Sequence, residues 1–282
     1  MRDRERRLHV RRILLAFDAS SADAGVLAAA AEMAACFQAE LVGLFVENAD
    51  LFRLAGASSV RAVDALLAAH HDLDSREIER LLRAQARRMQ RSLTTVAERL
   101  EVSASFRVTR GRIQSEVLAE AEKADVLVLG KSGWTLVKSR HLSPATRAVL
   151  SAAPVSTLIL HPGSRLQLPA LVIYDGSSLA DRALAAAVTL AERYDGRLTV
   201  LILGDGMERA ERLQSHVEGQ LKGHKLQTRY RLLTESNVTK IASIVQTGGG
   251  GTMVLPARSA ILQDEALLGL LDQVDVPVLL VR

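Results

Sequence analysis

The sequence predicts two tandem open doubly wound α/β domains, each a five-stranded parallel sheet in the order 3-2-1-4-5 with helices on both faces. Three observations lead there. The chain repeats itself once, its apolar runs do not alternate with polar residues, and those runs are separated by segments of helical period. The repeat is visible when ILLAFDASSADAGVLAAAAEMAACFQAELVGLFV (13–46) is set beside ALVIYDGSSLADRALAAAVTLAERYDGRLTVLIL (170–203), which align without a gap. Asp18 falls on Asp175, Ser20 and Ser21 on Ser177 and Ser178, and Leu27 on Leu184. The ends of the halves correspond too, APVSTLIL (153–160) with DVPVLLVR (275–282). HPGSRLQLPA carries two prolines and a glycine between them, so the domains are assigned to residues 1–163 and 168–282.

Taken in order, the first strand is expected at 12–17, and Ser20 or Ser21 then caps an Ala-rich helix over 20–36. A strand at 40–46 precedes an insert from about 47 to 100. The insert holds a helix over 75–100, whose stripe of Ile78, Leu82, Met89, Leu93, Val96 and Leu100 is interrupted by Gln85. The third strand is placed at 103–109 and its helix at 112–122. VLVLG, within a strand at 125–130, lacks alternation, as expected of a strand covered on both faces. Ser143 suits an N-cap and Pro144 the first helical position of a helix over 144–152. STLIL completes the half with a strand at 155–160. In the second half, strands at 170–175, 197–203, 226–233, 252–256 and 276–281 alternate with helices at 177–194, 207–222, 237–246 and 261–273. Such alternation implies parallel pairing through right-handed crossovers.

Composition narrows the function classes. A chain of 282 residues suits two domains. It is 48% hydrophobic but only 3% aromatic, so its core must be built of Ala, Val, Leu and Ile. Cys36 is the single cysteine and reads as a small buried hydrophobe; no intrachain disulfide is possible, which suits a reducing cytoplasm. MRDRERRLHVRR has no apolar run behind its charges, so no secretory signal is expected, and no stretch suits a bilayer span. The net charge of +4 permits an acidic partner without requiring one. Arg76, Arg80, Arg83, Arg87 and Arg91 line one helix face. A solvated face with a Glu79–Arg83 pair is favoured over a nucleic-acid surface, because no aromatic residues accompany the arginines. His70 and His71 are adjacent and make a poor metal pair, and no H-E-x-x-H, G-x-S-x-G or G-x-x-x-x-G-K-[ST] occurs.

Ligands of open parallel sheets sit beyond the carboxyl ends of the strands, where the winding reverses. Here that crevice lies between the first and fourth strands of the first half. Asp18 stands on one lip, Gly130 and Gly133 on the other. Glycines let a backbone approach an anion, and the following helix N-terminus favours negative charge.

Asp18, Gly111 in VTRGRIQSEVLAEA, the spacing Gly130-x2-Gly133-x9-Ser143 and Pro154-Val155 together resemble the universal stress protein family, in its tandem form. Its nucleotide-binding members carry G-x2-G-x9-G-[ST] after the fourth strand. The resemblance implies an adenine nucleotide, ATP with Mg, in the first half. Val46 would border the adenine and Asp18 face the base and ribose, with Gly130, Gly133, Ser143, Ala145 and Thr146 around the phosphates. Lys131, Lys138 and His141 could add positive charge. The motif departs from the family at Ser143-Pro144, which replaces Gly-Ser. Proline has no N–H, and one hydrogen bond to a charged partner is worth about 1.5–3 kcal/mol, roughly tenfold to a hundredfold in affinity.

Two readings stay open at this point: weak ATP binding in the first half, and an empty crevice in a protein-interaction scaffold. A slow ATP hydrolase is a third. The second half keeps Asp175, but LPARSAILQDEALLGLL has no glycine before Gly269, and GGGG at 248–251 precedes its strand. That half is expected to bind no nucleotide and to offer a packing and partner surface. The resemblance further implies that the two fifth strands pair as an internal pseudo-dimer. It leaves a homodimer and further protein partners open. Neither nucleic acid nor a membrane is an expected partner.

Overall fold

The computed structural model describes residues 9–17, 24–56, 75–131, 141–161, 163, 165–166, 169–233, 238–247, 251–258 and 264–282. The first half runs β1 (Arg12–Phe17), α1 (Ala24–Phe37), β2 (Glu40–Asn48), α2 (Ala49–Gly56), α3 (Ser75–Arg99), β3 (Ala104–Gly111), α4 (Ile113–Ala121), β4 (Val126–Gly130), α5 (Pro144–Ala152) and β5 (Ser156–Leu160). The second half follows with β6 (Ala170–Tyr174), α6 (Ser178–Arg193), β7 (Arg197–Leu203), α7 (Met207–Gln220), β8 (Gln227–Leu233), α8 (Val238–Thr247), β9 (Thr252–Pro256), α9 (Asp264–Gln273) and β10 (Val278–Val281). Each expected strand and helix is present, with ends within a few residues of expectation where those ends fall on described residues. The short helix α2 was not expected. None of the described helices is long and apolar enough to cross a membrane.

All the strands join one sheet in the order β3-β2-β1-β4-β5-β10-β9-β6-β7-β8. Counted within each half, both read 3-2-1-4-5, as expected. Pairs inside a half are parallel, for example Phe17 with Phe45 and Leu15 with Val128. The halves meet through β5 and β10, which run antiparallel with Leu279 opposite Leu158. The side chains of these two strands are almost completely buried, so the seam is core.

Side-chain direction divides the interior into three apolar clusters. Ile13, Leu15, Phe17 and Phe45 point to the α1–α3 face, where the cluster continues through Leu158 and Leu279 to α6 in the other half. Leu14, Ala16, Val46 and Leu129 point to the opposite face, under α4 and α5. A third cluster under α8 and α9 takes in Leu142 and Leu150 from the first half.

The insert helix α3 lays Leu82, Met89 and Leu93 into the first cluster, while Arg76, Arg80, Arg83, Arg87 and Arg91 are exposed. Its close approach explains Gly43: a Cβ there would stand 2.7 Å from Leu93 and 2.9 Å from Phe106. The Glu79–Arg83 pair forms at 2.9 Å. Arg110 from β3 ties the insert down. It donates to Glu47 at 2.8 Å and to Glu79 at 3.1 Å, and lies 4.3 Å from the Phe52 ring centre on α2. Hydrogen bonds to Glu47 and then Glu79 push the Arg110 pKa up, and the Arg110 hydrogen bond heads the causes holding the Glu79 carboxyl below its ordinary value. That arrangement gives α2 a fixed place, although its sequence is too short for periodicity to reveal.

Cys36 is partly buried against the first cluster, with its sulfur 3.8 Å from the Thr189 carbonyl of α6. Burial pushes its thiol up to about 11, and pushes Tyr194 nearby up to about 12.

Replacing Gly43 by Ala is expected to destabilise the chain by about 1–3 kcal/mol in urea unfolding, because core backbone and side chains must shift. Gly219→Ala meets nothing within 4 Å and serves as its contrast, neutral or stabilising by up to ~1 kcal/mol. Cys36 in the native protein should react negligibly with a thiolate-directed reagent at pH 8 and fully after denaturation. Because the folded thiol value lies above the ordinary 9.0, its contribution to stability is complete below that pH and is lost as pH rises towards about 11. Cys36→Ala should flatten this alkaline arm in melting temperatures taken against pH.

Candidate functional site

β1 is flanked by β2 and β4, and the winding reverses across the β1–β4 pair. The registers Ile13–Val126 and Leu15–Val128 make the two strands parallel neighbours. Their carboxyl ends, Phe17 and Gly130, therefore open at one edge of the sheet. Of the expected site residues, Asp18 and Gly133 lie outside the described residues, as do Lys138, Ser20 and Ser21. Val46 is buried near the end of β2 beside this edge, on the α4–α5 side.

The repeat supplies a described counterpart for Asp18. Asp175 follows β6, is buried, and accepts a hydrogen bond from the Ser177 N–H at 3.0 Å. Ser177 in turn caps α6, accepting from the Ala180 N–H at 3.1 Å. In the second half, then, the aspartate organises the turn between strand and helix, and the serine is the helix cap expected from the repeat. Gly251, the described end of the glycine run, sits at φ 122° with Thr252 N–H on the Pro169 carbonyl at 3.3 Å. That contact lies at the amino ends of β6 and β9, at the end of the sheet away from a ligand edge.

After β4, the chain returns to the sheet edge through Ser143. The Ser143 N–H donates to the Lys131 carbonyl at 3.1 Å, closing the stem of the intervening loop. Ser143 is the N-cap of α5, accepting from the Thr146 N–H at 3.0 Å, and Pro144 occupies the first turn. Thr146 is fully buried, and its hydroxyl donates to the Gly130 carbonyl at 3.2 Å. With that hydrogen used, the Ser143 hydroxyl must donate in the 2.9 Å contact between the two side chains. Gly130, Ser143 and Thr146 are thus brought together, through one closed set of hydrogen bonds. Pro144 has no N–H and the Thr146 N–H is taken, so among the first three positions of α5 the Ala145 N–H remains, with no acceptor among the described residues.

Lys131 behaves differently. It is only 3% exposed, and its ammonium donates to the carbonyls of Val274 at 2.8 Å and Asp272 at 3.3 Å, with Asp275 at 3.6 Å. The charge expected to serve the loop is spent on the C-terminal end of α9 in the other half. His141 is exposed, 4.0 Å from Asp272. Asp272 also accepts from the Leu142 N–H at 2.8 Å and from the Arg147 guanidinium. No sequence signal connects residues so far apart in the chain.

Gly111 closes β3, and the carboxylate side chain of Glu116 occupies the space where a Cβ would stand. Glu116 also accepts from the Thr109 hydroxyl at 2.6 Å, so this glycine serves the β3–α4 turn. A cleft of about 480 Å³ opens on the other face of the sheet, floored by Phe17, Leu27 and Met89 and edged by Arg88 and Thr95. Among the described residues no cluster of three or more His, Cys, Asp or Glu could hold a metal ion.

Comparison with known proteins places this architecture. The model of the universal stress protein family matches residues 9–161. Among curated proteins compared with the chain, none matches. A universal stress protein from Archaeoglobus fulgidus superposes with a TM-score of 0.69 over 98% of this chain and 98% of its own, at 20% identity. A putative universal stress protein from Pseudomonas aeruginosa does so with a TM-score of 0.65, over 97% of this chain and 94% of its own, at 16% identity. At such identities the likeness is one of fold, and it spans both halves. With the family model covering more than half of the sequence, the chain belongs to the universal stress protein family.

Proposed function

We propose that this chain is a regulatory or protective binding protein of the universal stress type, taking an adenine nucleotide in the crevice of its first half only. ATP with Mg is the ligand that the family resemblance implies. The observation that carries the reading is the placement of the α5 N-terminus at the end of β4, with Gly130 beside it and the Ala145 N–H without an acceptor among the described residues. A helix N-terminus bearing an N–H with no acceptor among the described residues favours a phosphate. Asp18 and Val46 would meet the nucleoside, and Gly130, Gly133, Ser143, Ala145 and Thr146 the phosphates. Lys131 is left out of this set because its ammonium is held by α9.

Weak affinity follows from the same local chemistry. Ser143 uses its hydroxyl to cap and brace the turn, and Pro144 withdraws a donor. No catalytic residue is assigned; retention of the nucleotide, not turnover, is the proposed activity. The rival reading, a nucleotide-free interaction scaffold, draws support from those same two residues, since they cap and start α5 without any ligand. The domain assignment of 1–163 and 168–282 belongs to the proposal as well: one half carries the crevice and the other supports it.

Calorimetric titration with Mg-ATP decides between the readings. The wild-type chain should bind weakly, and the Ser143→Gly/Pro144→Ser double variant roughly tenfold to a hundredfold more tightly, through one regained N–H. Stability should fall by only a few tenths of a kcal/mol, since glycine is a tolerable N-cap. Gly130→Glu should abolish binding by setting a carboxylate beside the phosphates. No heat from the wild type or the double variant at millimolar ATP would establish the scaffold. Phosphate release from labelled ATP above the rate of the Gly130→Glu variant would make it a hydrolase.

A further inference from the structure

We infer that the second half is the clasp of the first half's ligand loop, and that Asp272 is the positioning residue that sets its affinity. The inference rests on the nucleotide reading above and adds its control. Four contacts carry it. The Asp272 carboxylate accepts from the Leu142 N–H at 2.8 Å, directly before the cap residue Ser143. It also pairs with Arg147, on the first turn of α5. The Leu142 side chain is 4% exposed and packs in the second half's own cluster, with Leu267, Leu271 and Val274 as members. Lys131, at the other end of the same loop, anchors its ammonium on the Val274 and Asp272 carbonyls.

Both ends of the segment joining β4 to α5 are therefore held by one structure, the C-terminal end of α9. That helix has no basic residue in its last turn, so Lys131 supplies the cation that its exposed carbonyls favour. The Ser143 N–H on the Lys131 carbonyl ties the two ends to one another. Since Ser143, Ala145 and Gly130 are placed by this stem, a shift of α9 relative to β4 moves the phosphate-facing groups directly. Coupling is reciprocal: nucleotide held at α5 must tighten the junction of the halves by the same factor by which the junction tightens the nucleotide.

Asp272→Ala tests it in the full-length chain, with Asp272→Asn as the conservative variant that keeps an acceptor for Leu142 but loses the charge facing Arg147. Backbone hydrogen exchange over residues 141–152 should speed up in Asp272→Ala without ligand, and the Kd for Mg-ATP should rise about fivefold or more. Asp272→Asn should fall between Asp272→Ala and wild type on both readouts, which a general loss of stability would not order in this way. Should Asp272→Ala fail to fold, Arg147→Met takes its place, with the same two readouts expected to move. An Asp272→Ala chain with wild-type exchange over 141–152, or with a Kd within about twofold of wild type, overturns the clasp. A wild-type chain that binds no ATP is seen in the first titration and overturns the nucleotide reading itself, and with it the affinity control.

Discussion

The antiparallel pairing of β5 with β10 is the constraint on which the rest of the molecule depends. Each half alone would end in an apolar strand with unsatisfied backbone groups along one edge. Joined, the two parallel sheets become one, and Leu158, Leu160, Leu279 and Val281 are removed from water completely or nearly so. At about 1.5–3 kcal/mol for each such side chain, the seam ranks with the interior of either half. It also decides who meets whom. β4 and β9 lie one strand away on either side of it, so α5 and α9, which lead back into β5 and β10, come to rest as neighbours.

That neighbourhood is polar at one place. Lys131 is buried, and a buried ammonium without partners would be costly. The carbonyls at the end of α9 receive it, and the Asp272 side chain takes the next backbone donor on the other end of the loop. A residue available for a ligand on sequence grounds becomes part of the joint between the halves. The second half lacks the glycine motif of the first in its sequence, and it supplies the α9 end of this joint.

Ser143 and Pro144 carry a similar exchange. Glycine at the cap would leave more N–H groups exposed to a phosphate. Serine instead satisfies the Thr146 N–H and braces the Thr146 hydroxyl against Gly130. Proline starts the helix well but brings no donor. Local helix stability is gained where potential donors are given up.

Strand and helix positions were legible in the sequence because their causes are local. Apolar runs without alternation require cover on both faces, Ser177 and Ser143 cap helices through contacts three residues on, and α3 shows its buried stripe at helical spacing. The duplicated segment made the strand order of one half the guide to the other. Residues of the crevice were legible only as types and spacing. The partners of Lys131 are 141 and 143 residues away, and Leu142 meets Asp272 across 130. The place of α2 likewise depends on Arg110, which reaches Glu47 across 63 residues. By itself, then, the sequence determined the two α/β units and which strand ends could face a ligand, since short-range periodicity and capping encode both. Tertiary structure alone decided that Lys131 serves α9, that Leu142 belongs to the second half's core, and that the loop stem is shared. Those contacts exist only once β5 and β10 have paired and brought distant segments of chain together.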